Sequence, residues 1–148
     1  MAQSRREILI LAAVLMGLPS ISSLGCTHDT LVGERNLSTK SILVNLNESE
    51  YLALKIIGGS AYVIEQSEKR SIILTRLEQD TFIAVSSECT HAGCDVNLYD
   101  PQTNVLRCDC HNSAFKADGL VIGGPAQKPL KQFIAQFDGH HTVQILLS

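Results

Sequence analysis

Cys89-Thr90-His91-Ala92-Gly93-Cys94 and Cys108-Asp109-Cys110-His111-Asn112-Ser113 are the two stretches on which the reading of this chain turns. Each holds a cysteine and a histidine in ligand spacing, Cys-x-His in the first and Cys-x-x-His in the second. Each also holds one further cysteine. Two thiolates and two imidazoles make a metal-ligand set. Zinc accepts two of each in a tetrahedron. A [2Fe–2S] cluster accepts the same set when histidines replace cysteines on one iron. The ligand types by themselves admit both.

The pair of stretches resembles the Rieske family, whose boxes read Cys-Thr-His-x-Gly-Cys and Cys-x-Cys-His-x-Ser. Two separate boxes in the right order, each with fixed Cys and His positions, are a specific match. A structural zinc site needs no companion disulfide, and its knuckles usually read Cys-x-x-Cys or His-x-x-x-His. The resemblance reaches from about Leu43 to Leu147. It implies one [2Fe–2S] cluster per chain, with Cys89 and Cys108 on the buried iron and His91 and His111 on the outer one. It also implies a disulfide between Cys94 and Cys110 that pins the two loops. Ser113 stands where the family has a serine donating to a cluster sulfide. Gly124 and Pro125, with Pro129-Leu130 after them, match the loop that covers one side of the cluster.

Three positions depart from the family pattern. Phe115 stands where high-potential members carry a tyrosine that donates to a ligand sulfur. Asp109 replaces a usual proline, and Ala92 replaces the leucine of quinol-oxidising members. A missing donor and an added carboxylate both favour the oxidised form. The expected potential is therefore below the top of the Rieske range, which runs to about +300 mV.

With 148 residues the chain has room for one domain with a real core. Its net charge of −3, with no basic run, leaves nucleic acid outside the expected partners. There are five cysteines, four in the boxes and Cys26 near the start. A disulfide needs an oxidising compartment, which calls for an export signal. Ser4-Arg5-Arg6-Glu7 supplies a twin-arginine pattern, and the apolar run from Ile8 to Leu18 follows it. That run fits a signal sequence better than the ~20 residues of a bilayer span. Ser23-Leu24-Gly25-Cys26 has the look of a lipobox, so the segment ends in lipidation at Cys26, in an uncleaved anchor, or in simple cleavage. Residues 1–26 are expected to be a signal or anchor, 27–40 a polar linker, and 41–148 the cluster domain. The domain is expected on the periplasmic face of the cytoplasmic membrane.

From Ser41 onward the pattern is one of short strands separated by turn residues. Strands are expected at Ile42-Leu43-Val44, Leu52 to Ile57, Ala61 to Ile64, Ile72 to Thr75 and Thr81 to Val85. Further strands are expected at Val105-Leu106-Arg107, Leu120-Val121-Ile122, Pro129 to Phe137 and Thr142 to Leu147. No stretch of the first half keeps a helical period for three turns, so little helix is expected there. The fold class is all-β: an antiparallel sandwich or barrel of Rieske type, with a small cluster-binding subdomain of loops. His28 reads as a solvated side chain and His140-His141 as a hairpin tip.

The resemblance implies electron transfer. One expectation is the iron-sulfur subunit of a quinol:cytochrome c oxidoreductase of bc or b6f type, working between a cytochrome b and a cytochrome c-type acceptor. The alternative is the small subunit of a molybdenum enzyme such as arsenite oxidase, paired with a large molybdopterin subunit, or a free carrier. No nucleophile–base pair and no phosphate loop is evident in the sequence.

Overall fold

The computed structural model describes residues 40–65 and 70–147. The export signal, Cys26, His28, most of the linker and most of the turn at 67–70 lie outside them. Among the described residues no helix is long and apolar enough to cross a membrane.

Among the described residues nine strands form two antiparallel sheets. The larger contains β1 (Ser41–Asn45), β2 (Ser60–Glu65), β3 (Arg70–Arg76), β4 (Phe82–Ser86), β8 (Gln132–Phe137) and β9 (Thr142–Leu146), in the order β1-β9-β8-β4-β3-β2. The smaller is β5 (Leu106–Cys108), β6 (Ser113–Phe115) and β7 (Val121–Gly123). The short alternating apolar runs separated by polar turns are what a half-buried antiparallel strand requires.

Successive strand residues face opposite ways, and the large sheet uses both faces. Ile72, Leu74 and Ala84 join Val44, Val63, Val143 and Ile145 in a first core, which Leu54 and Phe82 close. All six strands contribute to it, so the sheet curls round it as a nearly closed barrel. Ile73 and Val85 point the other way, into a second core with Val96, Leu106, Phe115, Leu130 and the two cysteines Cys89 and Cys108. The small sheet thus sits on the back of β3 and β4, and the ligand cysteines are anchored in a packed core.

One expected strand is absent. Ser49–Lys55 is a 3₁₀ helix, and the expected strand from Leu52 to Ile57 falls across its end. Five apolar residues in a stretch of six, broken only by Lys55, suggested a strand, but only Leu54 of them is buried, while Leu52, Ile56 and Ile57 are exposed. A strand here would bury alternate residues. What holds the helix is Arg76, whose guanidinium donates to the carbonyls of Leu54 and Lys55 at 3.3 and 3.1 Å and to that of Gln79. The same cation lies 5.2 Å from the centre of the Phe82 ring. An arginine at the end of a strand gives no hint in sequence that it will be buried and bonded to four backbone carbonyls, those of Leu54, Lys55, Glu78 and Gln79.

Candidate metal centre

The first box leaves β4 and returns on itself. Glu88 and Asp95 pair across its base, the Cys89 N–H donates to the Cys94 carbonyl at 2.8 Å, and the Gly93 N–H donates to the Cys89 carbonyl at 2.8 Å. Gly93 makes the reversal at φ +73°, a conformation other residues resist. The second box is the tip of the β5–β6 hairpin, in which Cys108 pairs with Ser113. Each box is therefore a loop clamped at its base by sheet hydrogen bonds, which is how a protein holds a ligand in place.

Further bonds tie the loops to one another. Cys94 and Cys110 form a disulfide, so the pairing implied by the resemblance is present. The Asn97 side-chain amide donates to the Asp109 carboxylate at 2.7 Å, and the Asn97 N–H donates to the Arg107 carbonyl at 2.7 Å. Thr90 Oγ1 donates to the Lys128 carbonyl at 2.6 Å, joining the first box to the turn that follows Pro125. Tyr62 Oη, from β2, donates to the Val96 carbonyl at 2.8 Å and secures the first box to the body. Asn97 and Tyr62 lie outside both boxes, and nothing in their sequence context marks them.

The third loop closes in on the second. At Gly124, φ is +82°, and a Cβ there would lie 2.4 Å from the Asn112 carbonyl oxygen. Only glycine allows that approach. The approach brings the Ala126 N–H to Ser113 Oγ at 3.2 Å. Ser113 is fully buried and uses its oxygen as acceptor there, which leaves its O–H proton to donate elsewhere. Phe115 is also fully buried, in the same core as Cys89 and Cys108. Pro125 is exposed on the outer side of the turn.

The four expected ligands form two pairs, one buried and one exposed. Cys89 and Cys108 are buried free thiols, hydrogen-bonded to each other. Burial pushes the Cys108 thiol above the ordinary range and the neighbouring Cys89 pushes it the same way, while the N–H groups of Cys110 and His111, aimed at its sulfur, pull it down. His91 and His111 are exposed, their ring centres 4.7 Å apart and edge to face. The disulfide packs against the buried pair: the sulfurs of Cys94, Cys108 and Cys110 lie within 4.8 Å of one another. The two disulfide sulfurs are spent in their own bond, so the residues able to hold a metal group are Cys89, Cys108, His91 and His111.

This donor set fits a mixed-ligand iron–sulfur cluster. Cys89 and Cys108 are buried side by side; burial makes the Cys108 thiol resist ionisation unless a cation lies beside it, and backbone N–H groups already face its sulfur. The imidazoles face solvent, where neutral ligands suit an outer iron. His140 and His141 are far from this chemistry in role: with Thr142 their N–H groups donate to Asp138 Oδ1 at 2.8, 2.9 and 3.0 Å, forming the expected hairpin tip.

Comparison with known proteins agrees with this geometry. Residues 40–134 match the family model of the Rieske [2Fe-2S] domain. The chain is 34% identical over 87 residues to a cytochrome b6-f complex iron-sulfur subunit of Chlorobaculum thiosulfatiphilum, covering 59% of this chain and 46% of that one. It is 32% identical over 124 residues to a cytochrome bc1 complex Rieske iron-sulfur subunit of Streptomyces lividans, covering 64% of this chain and 73% of the relative. A longer bc1 subunit, from Streptomyces coelicolor, is 30% identical, with 80% of this chain and 42% of that one aligned. The chain thus spans less than half the length of two of these three relatives. Among solved structures, the cyanobacterial plasma membrane Rieske protein of Synechocystis PCC 6803 superposes with a TM-score of 0.55 at 24% identity, over 71% of this chain and 99% of that one. At that identity the likeness speaks for the fold.

Proposed function

The chain belongs to the Rieske [2Fe-2S] domain family, and from that premise we propose that it is the electron-transfer subunit of a quinol:cytochrome c oxidoreductase of bc or b6f type. The observation that carries the reading is the paired donor set: a buried thiol pair and an exposed imidazole pair, bracketed by the Cys94–Cys110 disulfide. When bound, the cluster supplies one-electron transfer at a potential raised by its neutral imidazole ligands.

The chain's own residues do the rest. Cys89 and Cys108 would hold the inner iron, in a packed core. His91 and His111 would hold the outer iron at the surface, where a donor or acceptor could approach. With one ring nitrogen of each committed to the cluster, the other would face solvent at the exposed edge. The disulfide and the Thr90, Asn97 and Ser113 hydrogen bonds keep the three loops from moving apart. The proposed partners are a quinol-oxidising cytochrome b and a cytochrome c-type acceptor, which the names of the curated relatives support. No specific observation favours the molybdopterin partner.

Phe115, Asp109 and Ala92 incline the reading towards a lower-potential quinol system. Export by the twin-arginine route, attachment through the N-terminal segment and a periplasmic position are proposed from residues 1–26. The disulfide supports the oxidising side of the membrane.

Cluster identity tests the reading. The purified protein should contain two irons and two acid-labile sulfides and give a rhombic EPR signal on reduction. His91→Ala or His111→Ala should abolish that signal, and His140→Ala or His141→Ala should leave it intact. Stoichiometric zinc without sulfide would overturn the proposal.

A further inference from the structure

Residues 95–100 run alongside the strand that leads into the second box. The Asp100 N–H donates to the Val105 carbonyl at 3.1 Å, and the Asn97 N–H donates to the Arg107 carbonyl at 2.7 Å. From the same residue the side-chain amide reaches past the ligand cysteine and donates to Asp109 Oδ2 at 2.7 Å. Asn97 therefore grips the chain on both sides of Cys108, one residue before it and one residue after.

The grip has a rigid mount. Val96, the residue before it, is fully buried in the same core as Cys89 and Cys108. Its N–H donates to the Ser87 carbonyl at 2.7 Å, and its carbonyl accepts the Tyr62 hydroxyl at 2.8 Å. With both backbone groups bonded and the side chain packed, Val96 delivers Asn97 to a fixed place. What Asn97 holds has less support of its own. Asp109 is exposed at the tip of the β5–β6 hairpin. The proline usual at that position would lock φ through its ring, whereas an aspartate leaves φ free. The bond to Asn97 supplies the missing restraint. Just beyond Asp109 come Cys110 and His111, whose N–H groups are aimed at the Cys108 sulfur.

We infer that Asn97 is a positioning residue for the metal centre: through Asp109 its side chain fixes the turn that presents the Cys108 sulfur and the His111 imidazole. The inference rests on the Rieske reading of that site. It makes the Asn97–Asp109 bond a non-covalent clasp that works beside the Cys94–Cys110 disulfide. The disulfide ties down Cys110, after Asp109. It leaves the start of the turn, next to Cys108, to Asn97.

The test uses the full chain with its cluster in place. Asn97→Ala, Asn97→Asp, Asp109→Asn and the double variant Asn97→Asp/Asp109→Asn are compared with wild type. Three quantities are read: the EPR line shape of the reduced protein, the rate of cluster loss, and hydrogen exchange of residues 108–111. Both side chains are exposed, so each substitution leaves the core packing undisturbed. Asn97→Ala removes the donor, and Asn97→Asp sets two carboxylates against each other. Both should broaden or shift the EPR signal. Asn97→Ala should speed cluster loss and exchange about fivefold, the factor that one net hydrogen bond contributes. Asp109→Asn keeps an acceptor oxygen for the Asn97 amide and should match wild type in all three. The double variant reverses donor and acceptor and should restore what Asn97→Asp loses. Wild-type line shape and exchange in Asn97→Ala, a loss in Asp109→Asn as large as in Asn97→Ala, or no rescue in the double variant would each overturn the inference. So would a lowered melting temperature in Asn97→Ala with the three readouts unmoved. A wild type that holds zinc without sulfide would overturn the Rieske reading itself, and this inference with it.

Discussion

Replacing Ser113 by alanine separates two roles that one hydroxyl is asked to fill. Its oxygen accepts the Ala126 N–H at 3.2 Å, and both residues are buried. Removing the oxygen orphans that N–H, at about 1–3 kcal/mol. For a domain of this size each kcal/mol moves the melting temperature by about 4 °C or more. The hydroxyl proton is the second role. A hydrogen bond to a charged acceptor contributes about 1.5–3 kcal/mol, and spreading the charge over a cluster reduces that to about half. At about 59 mV per 1.4 kcal/mol for one electron, Ser113→Ala should lower the midpoint by about 30–60 mV. The sign follows from the reduced cluster's greater negative charge, which the donor stabilises. Phe115→Tyr is the opposing variant: it adds a hydroxyl in the core shared with Cys89 and Cys108, and should raise the midpoint if that hydroxyl reaches a sulfur. Redox titration followed by EPR, with thermal melts on the same samples, reads both effects. A Ser113→Ala protein that melts lower but keeps its midpoint within ~10 mV would refute the reasoning, since the hydroxyl would then serve only Ala126.

Two other outcomes are expected. Peptide mapping of native protein should recover Cys94 and Cys110 joined; with a sequence separation of 16, Cys94→Ser should cost roughly 3 kcal/mol of stability and loosen cluster retention. Asp138, whose carboxylate accepts the N–H groups of Thr142, His140 and His141, has its pKa held well below the usual range by those bonds. The stability it contributes is complete above the ordinary carboxylate pKa of about 4 and is lost as pH falls towards the depressed folded value, so acid melts of Asp138→Asn should show a flatter slope below about pH 4 than wild type.

The ligand residues were legible because their chemistry is local. Cysteine and histidine at fixed short spacings on two loops announce a metal group before any fold is known, and the turn glycines Gly93 and Gly124 mark where those loops must reverse. Most strands were legible for a similar reason, since alternation every second residue is a local property of the chain. Leu52 to Ile57 failed because an apolar run does not say whether it will be covered; only Leu54 found a core, and Arg76 supplied the carbonyl contacts that a helix needed. β6 was missed because three residues at a hairpin tip carry too little pattern.

What the sequence by itself determined was the all-β class, and it offered a candidate donor set, because both rest on residue type and short-range spacing. What only the tertiary structure decided was the arrangement between distant segments. It put the thiols in the core and the imidazoles at the surface, and it brought Asn97 to Asp109, Thr90 to Lys128 and Ser113 to Ala126. The physical reason is that burial and hydrogen-bond partnership are set by how sheets stack, and stacking joins residues that the chain holds far apart.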